Sequence, residues 1–101
     1  MKSVKVTSVD KLPVGSMMRV EIEDNEVLLS NVDNRYYAIG NVCTHAGCRL
    51  SGGTLKGNKV TCPCHGSTFD VKNGKVVNGP ARKPEPAYET KTEGNDISIS
   101  V

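Results

Sequence analysis

Apolar and polar residues alternate with period two along most of this chain. Val4 to Val9, Met17 to Glu23, Glu26 to Val32 and Arg35 to Gly40 alternate, or run apolar with β-branched enrichment, which predicts four strands. Asp24-Asn25 and Asp33-Asn34 lie between them and favour tight reversals, so these strands are expected as an antiparallel meander. Phe69 to Lys72 and Lys75 to Val77 flank Asn73-Gly74, a strong hairpin signal because both turn residues tolerate positive φ. Tyr88 to Thr92 and Ile97 to Val101 predict a closing hairpin that turns through Glu93-Gly94-Asn95-Asp96. No window sustains helical periodicity, although a short turn near Asp10 to Leu12 is compatible with the pattern. The predicted fold class is all-β.

Length and charge narrow the function. A chain of 101 residues makes one domain with a modest core. Thirteen Lys and Arg against eleven Asp and Glu give a formal net charge of +2, and the lysines look scattered over solvated faces, which makes no case for nucleic acid. There is no internal repeat and no low-complexity tract. Met1 to Thr7 alternates without a continuous apolar run, so neither a signal peptide nor a membrane span is expected, and the expected location is cytoplasmic.

The chemistry is concentrated in two boxes. All four cysteines and both histidines fall within Cys43-Thr44-His45-Ala46-Gly47-Cys48 and Cys62-Pro63-Cys64-His65-Gly66-Ser67. Two Cys-and-His pairs, separated by a sixteen-residue spacer, offer two thiolates and two imidazoles to a metal. Iron–sulfur clusters usually take four thiolates, and the exception is the Rieske [2Fe–2S] centre, where two histidines replace two cysteines on one iron. The same donor set suits tetrahedral zinc, although zinc fingers place like ligands together and each box here mixes them. A Cys2His2 zinc-binding module therefore stands as the alternative.

The chain resembles the Rieske ferredoxin family. That family's pattern is Cys-x-His, a spacer of about this length, then Cys-x-x-His, matched by Cys43, His45, Cys62 and His65. Asn41 to Ser51 resembles the family's first cluster loop, Val60 to Asp70 its second, and Gly79 to Pro86 its proline-rich third loop. The resemblance implies an antiparallel β-sandwich in which residues 1–40 and 87–101 form the base and 41–86 an inserted small cluster-binding subdomain, within a single domain spanning 1–101.

The resemblance also implies roles. Cys43 and Cys62 would hold the inner iron of one [2Fe–2S] cluster, and His45 and His65 the outer iron near the surface. Cys48 and Cys64 match cysteines that form a disulfide in Rieske proteins of respiratory and photosynthetic cytochrome complexes, whereas oxygenase-linked ferredoxins have other residues there. Ser67 matches a serine whose hydroxyl donates to a bridging sulfide, and Phe69 stands where high-potential members carry a tyrosine. Pro80, Pro84 and Pro86 stiffen the third loop into a shield, and Arg49, Arg82 and Lys83 lie in or beside the expected cluster face, where they could steer an acidic partner. The implied function is a soluble one-electron carrier, expected to be a monomer without a catalytic site of its own, passing electrons between redox proteins such as a reductase, an oxygenase or a respiratory component. A Rieske subunit of a stable oxidoreductase complex is the alternative within the family.

Overall fold

The computed structural model describes residues 3–45, 47–64 and 66–101. Ten strands run in chain order: β1 Ser3–Ser8, β2 Met17–Ile22, β3 Asn25–Val32, β4 Arg35–Gly40, β5 Thr54–Lys56, β6 Lys59–Thr61, β7 Thr68–Asp70, β8 Val76–Asn78, β9 Ala87–Glu93 and β10 Asp96–Ser100. The helical pieces among the described residues are two 3₁₀ turns, Val9–Lys11 and Leu50–Gly52. One sheet has six strands in the order β1-β10-β9-β4-β3-β2, and the other has four in the order β5-β6-β7-β8, with antiparallel pairing throughout.

The β2–β3–β4 meander forms as its alternation dictates. Val20 pairs with Val27, and Leu29 pairs with Ala38, so one face of these strands collects apolar side chains. Leu12, Ile22, Val27, Leu29, Ala38, Ile97 and Ile99 form a buried core on that side, which joins the meander to the β9–β10 hairpin. Leu28 and Ile39, themselves cross-strand partners, point to the opposite face and enter a second core with Leu50, Val60, Phe69 and Val71. Strand β3 is therefore covered on both faces, which explains why Val27-Leu28-Leu29 runs apolar instead of alternating.

Two turns differ from their expected positions. The first reversal lies one residue earlier than Asp24-Asn25: Ile22 pairs with Asn25, and Glu23 takes the positive φ, at 55°. Burial of Ile22 on the core face fixes that register, because a one-residue slip would turn it outward. The β7–β8 hairpin forms as expected, but its connection is wider than Asn73-Gly74. Gly74 N–H bonds back to the Asp70 carbonyl at 2.7 Å, and the ladder is irregular between Thr68 and Phe69. Gly74 has φ 78°, and a Cβ there would collide with the Glu85 carbonyl, so the third loop sets this turn's shape.

Candidate metal centre

Both cysteine boxes fold into the same backbone turn. In the first, Cys43 N–H donates to the Cys48 carbonyl at 2.7 Å, and Gly47 N–H donates to the Cys43 carbonyl at 2.9 Å. In the second, Cys62 N–H donates to the Ser67 carbonyl at 2.7 Å, and Gly66 N–H donates to the Cys62 carbonyl at 3.2 Å. Each turn thus begins at a cysteine and closes five residues later. Its fifth residue is a glycine in the left-handed region, Gly47 at φ 73° and Gly66 at φ 77°. The boxes read as unlike sequences because their histidines and remaining cysteines sit at different places on one shared frame.

That frame sorts the four cysteines. Cys48 and Cys64 form a disulfide with Cα atoms 6.4 Å apart, tying one turn to the other. Cys43 and Cys62 stand outside any disulfide, each is 2% exposed, and both belong to the core that also holds Leu50, Val60 and Phe69. His45 is exposed and lines a depression of about 430 Å³ with Thr44, Pro80, Arg82 and Lys83. His65 lies outside the described residues. Among the described residues, no three His, Cys, Asp or Glu side chains gather around a single point. A mononuclear zinc site needs four donors around one ion, whereas a two-iron cluster asks each iron to be held by only two protein ligands.

Ser67 provides a second test of fit. Its side chain is fully buried, and its Oγ accepts the Ala81 N–H at 3.0 Å. Accepting that bond leaves the hydroxyl hydrogen available for donation in a buried position, five residues from Cys62 in the same turn. An electron-rich sulfide or thiolate is the kind of acceptor that would satisfy it. Phe69 is also fully buried, on β7 opposite Val60, and presents no donor to the two thiols with which it shares the core.

The third loop is fastened across the first box. Thr44 Oγ1 donates to the Lys83 carbonyl at 2.6 Å, Thr44 N–H donates to Glu85 Oε2 at 3.1 Å, and Gly40 N–H donates to the Pro86 carbonyl at 2.8 Å. Glu85 was not singled out by its sequence, where it falls between two prolines of the third loop, yet it is only 4% exposed. Burial pushes its carboxyl up to about 7, against the opposing pull of the Thr44 N–H. Gly40 makes the room: a Cβ there would fall on the carboxylate oxygen.

Arg49 departs from its expected role at the cluster face. Its Nε and Nη2 donate to the two Glu26 oxygens at 2.9 and 3.2 Å, while Arg19 Nε donates to Glu26 Oε1 at 2.8 Å. Hydrogen bonds from Arg19 and then Arg49 hold the Glu26 carboxyl down to about 2. The Arg49 charge is engaged in joining the first box to β2 and β3.

Comparison with known proteins agrees with these features. A family model described as "Rieske [2Fe-2S] domain" matches residues 2–91. The ferredoxin component of the naphthalene 1,2-dioxygenase system of Pseudomonas aeruginosa is 32% identical over 100 residues, covering 99% of this chain and 96% of the relative. The biphenyl dioxygenase ferredoxin subunit of Pseudomonas sp. (strain KKS102) is 36% identical over 100 residues, covering 98% and 92%. Among solved structures, the ferredoxin of carbazole 1,9a-dioxygenase from Nocardioides aromaticivorans IC177 superposes with a TM-score of 0.95 at 28% identity, covering 99% of this chain and 98% of that one.

Proposed function

Because the chain belongs to the Rieske [2Fe-2S] domain family, we propose that Cys43 and Cys62 hold one iron of its cluster, that His45 and His65 hold the other, and that the protein delivers single electrons to a terminal oxygenase. The observation that carries the ligand assignment is the sorting of the cysteines: one pair is consumed in a disulfide, and the other stands outside it, buried and set at the same position of two matching turns. When bound, the cluster supplies a one-electron couple, and histidine ligation places such couples at about −150 to +300 mV, against about −400 mV for plant-type clusters.

The chain's own residues prepare the site. The Cys48–Cys64 bridge fixes the two turns, and with them Cys43 and Cys62, against each other. The third loop covers the first box through Thr44, which excludes water from the thiol side and leaves the exposed His45 as a route to a partner. Nothing in this arrangement requires a catalytic group, and we assign the protein no substrate chemistry of its own. The relatives are ferredoxin components of ring-dioxygenase systems, which supports an oxygenase as acceptor. We place the carrier in the cytoplasm beside its partners; no helix among the described residues is long and apolar enough to cross a membrane.

The test is a stopped-flow mixing experiment. Chemically reduced protein is mixed with an oxidised terminal oxygenase of the naphthalene dioxygenase type, and the visible bands of the carrier are followed. Return of the oxidised spectrum with matching reduction of the oxygenase is expected. Failure to reduce it, together with rapid oxidation by a respiratory-type cytochrome, would assign the protein to a different electron-transfer chain.

A further inference from the structure

Acidic and basic residues are unevenly divided between the two parts of the chain. Segment 41–86 holds seven bases, Arg49, Lys56, Lys59, Lys72, Lys75, Arg82 and Lys83, against two acids, Asp70 and Glu85, a formal charge of +5. The remaining residues, 1–40 and 87–101, hold the other six Lys and Arg against nine Asp and Glu, a formal charge of −3, and the two parts restore the +2 of the whole. All seven bases of the segment are exposed, while Glu85 is buried. The excess is not gathered at one end: Lys72 lies beside Asp33 and Arg35, at the end of β3 and β4 away from Gly40 and the first cysteine box.

The imbalance is sharpest beside the exposed histidine. Arg82 and Lys83 line the depression that His45 opens into, and no acid lines it. Among the described residues neither cation has an ion-pair partner, in contrast to Arg49, which Glu26 engages. An oxidised cluster would leave these two charges unopposed, because two thiolates would offset the two positive charges of its core.

We propose that the depression beside His45 is a docking surface for an acidic redox partner, whose carboxylates seat against Arg82 and Lys83. The inference rests on the electron-carrier reading above. A net charge of +2 alone would attract an acidic protein without orienting it, whereas two cations outside any ion pair beside His45 favour approach by that face. Exposed ion pairs contribute little affinity once formed. The effect belongs to the encounter rate and its salt dependence.

The probe is the holoprotein at gold electrodes bearing carboxylate-terminated or ammonium-terminated monolayers. Raising ionic strength from about 0.01 M to about 1 M shortens the screening length from about 30 Å to about 3 Å. At low salt, electron exchange should be about tenfold or more faster on the carboxylate layer, and the difference should vanish at high salt. Arg82→Glu/Lys83→Glu should remove the preference, whereas Lys11→Glu/Lys91→Glu, the same charge change on the base, should leave it within about twofold. Equal or faster exchange on the ammonium layer, or equal slowing by both variants, overturns the docking surface. Absence of any cluster spectrum would instead overturn the carrier reading, so the two failures are distinguishable.

Discussion

Replacing Ser67 with Ala removes two hydrogen bonds of different kinds, and two assays separate them. The hydroxyl oxygen accepts from Ala81 N–H at 3.0 Å in a fully buried position, so Ser67→Ala leaves a buried amide without its partner. That loss costs about 1–3 kcal/mol. For a domain near 100 residues, each kcal/mol lowers the unfolding midpoint by about 4–8 °C. The second bond is the one the hydroxyl would donate to the cluster, which strengthens as negative charge arrives on reduction. If that donor favours the reduced state by about 0.5–1.5 kcal/mol, its removal lowers the one-electron potential by about 20–65 mV. Voltammetry of the holoprotein measures the potential, and thermal melting measures the buried amide. A variant that melts earlier but keeps the wild-type potential would show that the hydroxyl hydrogen is not directed at the cluster, and the assignment of Ser67 would fail.

Three further perturbations follow from the same structure. Phe69→Tyr should raise the potential by about 20–65 mV if its hydroxyl reaches the Cys43 sulfur, with about 1–3 kcal/mol of stability lost to overpacking a fully buried site; a structure showing that contact with no change in voltammetric potential would refute the account. Glu26 is depressed from 4.5 to about 2 by Arg19 and Arg49, so its stabilising contribution is present above pH 4.5 and lost as pH falls through 2. The stability gap between wild type and Glu26→Gln, measured by urea melts, should therefore close across that acid window. Glu85 is raised from 4.5 to about 7 by burial, so wild-type stability should decline as pH rises from 4.5 through 7, and Glu85→Gln should flatten this decline. An unchanged pH profile would mean that the carboxylate is solvated.

Local pattern made part of this molecule legible and long-range packing concealed the rest. The meander was readable because Val20, Val27, Leu29 and Ala38 fall at period-two positions on one face and meet in one core, and because Asp33 and Asn34 adopt the positive φ of 53° and 68° that their turn requires. The β5–β6 hairpin was missed because strands of three residues are too short to show a period, although Gly57 at φ 61° marks its turn. Pairing of β1 with β10 joins the two ends of the chain and depends on burying Ile97 and Ile99, which no short window reveals. At the site, residue types and spacing identified Cys43, His45, Cys62 and His65 as candidate ligands, and family resemblance assigned the Cys48–Cys64 bridge that the structure contains. Glu85 escaped notice because its burial is created by Gly40 and Gly74, residues distant in sequence whose missing side chains leave space for it.

Electron paramagnetic resonance of the dithionite-reduced protein tests the central claim most directly. Ligation of one iron by two imidazoles and of the other by two thiolates predicts a two-iron signal whose average g value lies below that of an all-thiolate cluster, with hyperfine coupling to two nitrogens and loss of the cluster signal in His65→Ala. A colourless protein containing one zinc per chain, or a reduced signal with all-thiolate g values and no nitrogen coupling, would contradict it.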